Sequence, residues 1–290
     1  MDQDPAARRY ALPLVQPTHP LKRMLKPMVG RVVCALLGSR ARDLEAGRGP
    51  DRLDFLDRLM MSALLDRARQ RGTLDEFTLR QQQRFWSSEE AANFHQDHEH
   101  YFDQWFLGPN QVTIRELERL AQEGHYTTLC EIGCGNGRAL DYFAGRLPTL
   151  QRLVGIDLSR AQIEHNRGRY QDPRLEWIDG DAAAWIEANA QPGWIYVSNN
   201  GVLEYFLQVT LETMFRQIAA RAQPALVCLM EPVDTEHDLE ADGASRPYGS
   251  ERSFSHNYPR MLRTAGFELL HQSELHTPPH RLLRLIARTG

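Results

Sequence analysis

Apolar and polar positions change their rhythm along the chain. From Asp51 to Asn110 apolar residues recur at three- and four-residue steps, as in DRLDFLDRLMMSALLDRARQ (51–70), so the spacing predicts helices. SSEEAANFHQDHEHYFDQWFLG (87–108) continues that spacing as one helix, with Ser88 as its N-cap. After Gly124 the pattern becomes short apolar runs, at 126–132, 152–158, 175–179, 194–199 and 225–232. Between them lie amphipathic stretches at 137–147, 159–170, 181–190 and 209–221. This alternation predicts a parallel sheet covered on both faces. The tail adds a helix over 258–265 and two strands, with Pro278-Pro279 turning the chain into a closing antiparallel strand. The fold class read from this pattern is α/β: a doubly wound, mostly parallel seven-stranded sheet with a closing antiparallel strand, preceded by an N-terminal helical region. The helical region spans 1–110 and is a candidate lid, partner or substrate-binding segment; the sheet domain spans 111–290.

Within the first region, HPLKRMLKPMVGRVVCALLG (19–38) reads as a helix in which Lys22, Arg23, Lys26 and Arg31 flank Leu25, Met28, Val29, Val32 and Leu36. Such a helix packs on the protein, faces a partner, or contacts a membrane surface. Composition narrows the rest. The 290 residues are 42% hydrophobic and 25% charged, with a net charge of −4, which argues against a dedicated nucleic-acid binder. No apolar run approaches the roughly 18 residues of a membrane span and no secretory signal opens the chain, so a cytoplasmic location is expected. Cys34, Cys130, Cys134 and Cys228 lack zinc-site spacing and read as buried thiols, and no metal site is expected.

The first apolar run of the sheet region leads into LCEIGCGNGRAL (129–140), where Gly133, Gly135 and Gly137 precede a helix. Such a loop lets a ligand approach the backbone at a helix N-terminus. A dinucleotide fingerprint starting at Gly133 needs glycine at 138, where Arg138 stands. Glu131 at the strand end also disfavours a pyrophosphate and favours a ligand carrying a sulfonium and an ammonium, as S-adenosylmethionine does.

The segment EIGCGNG resembles the first motif of class I S-adenosylmethionine-dependent methyltransferases, and the order of strands, helices and acidic strand ends is similar to theirs over 112–289. The resemblance implies S-adenosyl-L-methionine as cofactor, with Glu131, Gly133, Cys134, Gly135 and Gly137 forming its loop. It implies Asp157, followed by Leu158, taking the ribose hydroxyls. Asp181 and Ala182 would lie beside the adenine with Trp185 as a ring contact. Asn199, Asn200 and Gly201 would flank the methionine part. Glu131 can alternatively orient the loop through backbone amides.

An acceptor hydroxyl needs a group to take its proton. The long polar insertion 234–262 offers His256, whose ordinary pKa suits a base near neutrality, with Asp234, His237 and Tyr248 nearby. Glu204 and Tyr205 follow the fourth strand. His95, His98 and Glu99 could share a helix face as metal ligands, but a charged exposed helix describes that stretch better. The aromatic residues between Phe85 and Phe106 suit a helical lid. The run SNNGVLEY lacks the Asn/Asp-Pro-Pro-aromatic pattern of enzymes that methylate exocyclic base nitrogens. The expected activity is therefore methyl transfer to a small-molecule or sugar-like hydroxyl. The alternatives are an RNA or protein methyltransferase that docks through the basic N-terminal segment, and a non-catalytic cofactor-binding partner subunit.

Overall fold

A computed structural model describes residues 20–50, 53–124, 126–249, 251–277 and 280–290; residues 1–19 and the expected Pro278-Pro279 turn lie outside them. By packing it divides into two compact units, Met1–Ala91 with Pro247–Ser253, and Ala92–Arg246 with Phe254–Gly290. The sequence suggests a boundary at 110. The division falls earlier because Phe102 and Phe106 pack with Tyr142 and Phe143 inside the second unit.

The first unit contains α1 (Pro20–Leu36), α2 (Gly38–Glu45), α3 (Phe55–Arg71) and α4 (Leu74–Trp86). Its core gathers Leu44, Met60, Met61, Leu64 and Phe77. The start of α3 is fixed by a reciprocal pair: Asp54 accepts from the Asp57 amide and Asp57 accepts from the Asp54 amide. Helices α1 and α3 approach so closely at Gly30 that a Cβ there would lie 2.1 Å from the Leu59 carbonyl oxygen. One face of α1 is therefore committed to α3, and Cys34 on that face donates to the Met60 carbonyl.

Helix α5 (Glu89–Asp97) does not continue to 108. It gives way to a 3₁₀ turn (Glu99–Tyr101) and a π-helical turn (Asp103–Leu107) before α6 (Gly108–Glu123). The altered winding accompanies a ring stack in which Tyr101 lies on Trp105 at 4.5 Å and His98 on Trp105 at 5.3 Å. Ser88 stands just before α5, and its hydroxyl donates back to the Phe85 carbonyl.

The second unit is built on β1 (Thr128–Ile132), β2 (Arg152–Asp157), β3 (Leu175–Asp179), β4 (Trp194–Asn199), β5 (Ala225–Asp234), β8 (Glu268–Thr277) and β9 (His280–Thr289). Their order is β3-β2-β1-β4-β5-β9-β8, with β9 antiparallel to both neighbours and the pairs from β3 to β5 all parallel. Helices α7 (Arg138–Arg146), α8 (Arg160–Arg169), α9 (Ala182–Asn189), α10 (Gln208–Arg221) and α11 (Tyr258–Ala265) complete the alternation. Two short strands, β6 (Arg246–Tyr248) and β7 (Ser253–Ser255), pair within the polar insertion. The sheet's two faces bury separate apolar clusters, one with Ile156, Tyr196 and Phe215, the other with Leu129, Phe143 and Ile195. Alternate residues of each strand supply the two clusters.

Gly155 in β2 faces Trp177 of β3, and a Cβ there would lie 2.8 Å from the indole and 2.9 Å from Cys134 Sγ. Gly155→Val should cost about 1–3 kcal/mol of stability through overpacking, read as a lower urea midpoint at unchanged m-value. An unchanged midpoint would show that Trp177 and Cys134 yield freely.

Candidate functional site

The site begins where β1 runs out. Gly133 and Gly135 both adopt the left-handed region, with φ of 69° and 46°, and neither has room for a side chain. A Cβ at Gly133 would lie 2.4 Å from Val202, and one at Gly135 would lie 2.9 Å from the His95 ring. The loop is pinned from below. Cys134 N–H donates to the Ile156 carbonyl at 2.9 Å, Asn166 donates to the Gly135 carbonyl at 2.8 Å, and Tyr170 donates to the Asn136 carbonyl at 2.9 Å. Gly137, with φ of 76°, precedes the first turn of α7. Cys134 is buried, and burial pushes its thiol well above the ordinary range, so it is no nucleophile.

Asp157 ends β2 half-buried beside Leu158. Its Oδ2 accepts from the Gly135 amide and its Oδ1 from the Ser159 amide, both at 2.9 Å. A carboxylate oxygen accepts more than one hydrogen bond, so Asp157 can shape the loop and still receive two hydroxyls.

Strand order reverses between β1 and β4, and the carboxyl ends of these strands form the crevice where open α/β sheets bind ligands. Glu131 lies there, buried, with Oε1 accepting from Asn199 Nδ2 at 2.9 Å and Oε2 without a hydrogen-bond partner. Burial raises its carboxyl to about 8, against the opposing Asn199 bond. An enclosed acceptor atom of this kind suits a cationic ligand group. Asn200, at φ 59°, and Gly201, at φ 84°, turn the chain out of β4. The Asn200 amide is held by the Met230 carbonyl at 3.0 Å.

The turn after β4 rests on Glu231, a residue that the motifs in the sequence do not single out. This fully buried side chain accepts from Ser198 Oγ at 2.6 Å through Oε1, and from the Val202 and Leu203 amides at 3.0 and 3.2 Å through Oε2. Burial raises it to about 8, and the neighbouring Glu204 carboxylate adds to the rise. Glu204 is itself buried on the 3₁₀ turn Leu203–Tyr205, with Oε1 only 2.6 Å from where a Gly201 Cβ would stand. An acidic residue inside the otherwise apolar run ALVCLMEPV was the available signal.

The third strand end departs from expectation in part. Asp181 is exposed and caps α9, accepting from the Ala184 amide at 2.8 Å, while Ala182 is the buried first residue of that helix. Trp185 stacks on Trp194 at 5.9 Å. Trp194 opens β4, so Trp185 lies toward the opposite end of the sheet and is no ring contact for a ligand at the strands' carboxyl ends.

The insertion's candidate bases are engaged in holding the insertion together. His256 is fully buried, shares a 2.6 Å hydrogen bond with Ser245 Oγ through Nδ1, and is pushed by burial down to about 3. The near-neutral pKa expected from its residue type is therefore absent, because desolvation disfavours the imidazolium. His237 is buried with Nδ1 2.8 Å from Ser255 Oγ, and burial lowers it too. Burial would raise Asp234, but its 2.5 Å pair with Arg246 and the Glu236 amide outweigh that and hold it below the carboxylate range. Tyr248 falls in the Pro247–Ser253 segment of the first unit.

The stretch read as a charged, exposed helix lies instead on the glycine loop. His95 reaches Gly135, where burial lowers its pKa and the Asp157 charge opposes the shift. Beyond it, Glu99 forms a two-pronged pair with Arg169, its carbonyl accepts from Arg138 at 2.6 Å, and Arg138 lies 4.4 Å over the Phe102 ring. Among the described residues no group of three or more His, Cys, Asp or Glu side chains could hold a metal ion.

Residues 129–225 match a family model described as a methyltransferase domain. No curated protein matches the chain. Similar solved structures include an S-adenosylmethionine-dependent methyltransferase from Mesorhizobium loti, at 16% identity over 57% of this chain and 91% of that one, with a TM-score of 0.43. They also include magnesium protoporphyrin IX methyltransferase from Synechocystis PCC 6803 with bound S-adenosylmethionine, at 14% identity over 63% and 81%, with a TM-score of 0.44.

Asp157→Ala removes two loop contacts and the strand-end carboxylate, and should weaken S-adenosylmethionine binding by about 1.5–3 kcal/mol while the domain stays folded. Calorimetry giving an unchanged dissociation constant would exclude Asp157 from the site. Glu131 and Glu231 also predict a pH dependence. Both folded values lie near 8, above an ordinary 4.5, so the folded state holds the extra protons between these limits. Their contribution to stability is fully present below 4.5 and is lost as pH rises through 8. Urea titrations from pH 5 to 9 should show this fall, flattened by Glu131→Gln and Glu231→Gln; slopes that ignore both substitutions would contradict it.

Proposed function

We propose that the chain, whose residues 129–225 match a methyltransferase domain, is a class I S-adenosylmethionine-dependent methyltransferase that transfers the methyl group to a hydroxyl of a small-molecule or sugar-like acceptor. The observation that carries this reading is the buried carboxylate of Glu204, lying against Gly201 on the turn whose Asn199 is bonded to Glu131. A hydroxyl nucleophile needs a proton acceptor, and this one sits beyond the carboxyl end of β4.

When bound, S-adenosylmethionine supplies an electrophilic methyl on a sulfonium. In this proposal Asp157, followed by Leu158, receives the ribose hydroxyls on its remaining lone pairs, and the Gly133, Cys134, Gly135 and Gly137 backbone cradles the ligand. The Ala182 amide, next to Asp181, faces the adenine. Glu131 Oε2 receives the ammonium, with Asn199, Asn200 and Gly201 along the methionine chain. Glu204 would take the proton of the acceptor hydroxyl, whose oxygen would bond the methyl carbon while the sulfur leaves with the bonding pair as a neutral thioether. Glu231 anchors the amides of Val202 and Leu203 and so positions Glu204. His256, His237 and Asp234 hold the insertion in shape.

Glu204→Gln should lower turnover by roughly 10²–10⁴ and leave cofactor affinity within a few-fold, whereas folded His256→Gln should stay within about tenfold of normal turnover. Acceptors come from a tritiated-methyl transfer screen on size-fractionated extracts, with label expected in small species. Label confined to polymer would refute the acceptor class, and normal turnover in Glu204→Gln would refute the base.

A further inference from the structure

Helix α1 uses one face to pack on α3, at Gly30 and Cys34, and leaves an apolar face uncovered. Leu25, Met28, Val29, Val32 and Leu36 are 45%, 56%, 49%, 60% and 77% exposed. Their spacing of three, one, three and four residues places them in one stripe along the helix. The α1–α3 contacts run antiparallel, since Arg31 meets Asp66 while Cys34, further along α1, meets Met60, earlier on α3. That register brings the end of α1 level with the start of α3, where Phe55 and Leu56 are 73% and 39% exposed. Single exposed apolar residues are ordinary, but a continuous stripe of this kind marks an interaction surface.

The charge around the stripe identifies what it meets. Between residues 5 and 42 the sequence has eight basic residues and no acidic one, although the whole chain is net negative. Both of the chain's lysines, Lys22 and Lys26, fall in the sequence of α1; Lys26 stands on one border of the stripe and Arg31, paired with Asp66, on the other. Acidic groups of the same unit are met by arginines: Asp66 by Arg31, and Asp54 and Asp57 by Arg40. An apolar stripe with cations on both borders suits the boundary between acyl chains and anionic headgroups, where lysine stems lie along the apolar layer and the ammonium groups reach the phosphates. Among the described residues no helix is long and apolar enough to cross a membrane.

We infer that α1 docks the protein on an anionic lipid surface, with its Leu25–Leu36 stripe in the headgroup–acyl boundary and its lysines on the phosphates. This surface attachment is independent of the identity of the methyl acceptor.

Flotation of the full chain with phosphatidylcholine vesicles, with and without phosphatidylglycerol, tests the inference. Binding is expected on the anionic vesicles only and should weaken as salt rises. Lys22→Gln with Lys26→Gln should lower the partition coefficient by roughly 10–30-fold at low salt. Met28→Glu with Val32→Glu, at two exposed positions, should abolish binding while circular dichroism and S-adenosylmethionine affinity stay unchanged. Equal binding to neutral vesicles would overturn the charge assignment. Absence of vesicle binding would overturn the inference, and if sedimentation then showed a dimer that Val32→Glu dissolves, the stripe would be a subunit interface instead.

Discussion

A carboxyl group enclosed on a parallel strand must either find donors or give up its charge, and this fold places two of them, Glu131 on β1 and Glu231 on β5, on either side of β4. Glu231 satisfies the requirement internally: one oxygen receives a hydroxyl and the other two backbone amides, so the chain leaving β4 has its path set by a side chain on β5. Glu131 satisfies it by half, through Asn199, with its second oxygen unpartnered. The two differ in consequence. A completed set of bonds makes a rigid support, whereas an incomplete one stores a preference for a cationic ligand. The geometry of Asn199, Gly201 and Glu204 depends on both.

On the opposite side of the glycine loop, the stretch from His95 to Phe106 acts as a strap of the second unit. Its rings stack on one another and Glu99 and Phe102 engage Arg138 and Arg169 on α7 and α8. Arg138 opens α7 next to the loop, and Arg169 ends α8 beside Tyr170, which donates to the Asn136 carbonyl, so the strap and the loop are mechanically joined. The exclusion of side chains at Gly133 and Gly135 has its reason here: Val202 approaches from the β4 turn and His95 from the strap. The loop is squeezed between the two segments that would flank a ligand.

The sheet was legible because its strands are short apolar runs separated by amphipathic stretches, and every one of the five parallel strands lies where the pattern places it. The glycines and Asp157 were legible because backbone close approach and a strand-end carboxylate leave marks in sequence. The break in the helix at 98–107 was not, since Tyr101 and Trp105 keep helical spacing and the ring stacking that accompanies the altered winding leaves no mark in the sequence. His256 was misread for a different reason: residue type fixes an ordinary pKa, but burial decides the actual one, and burial at Ser245 depends on how the insertion folds back. Trp185 was misplaced because a helix after a strand end carries its later residues away from that end. Glu231 did leave a trace, a charge in a run that periodicity alone treats as uniformly apolar.

The chain's preference for arginine has a consequence for spectroscopy. With ion pairs throughout both units made by guanidinium groups, side-chain primary amines occur only at Lys22 and Lys26, both within α1. Reductive methylation with labelled formaldehyde would therefore add, apart from the N-terminal amine, just two isotopic reporters, both on the helix whose outer face is apolar. Their line widths and chemical shifts would track the surroundings of that one helix without assignment of the other residues, and amine-reactive crosslinkers would likewise report neighbours of α1 and of little else.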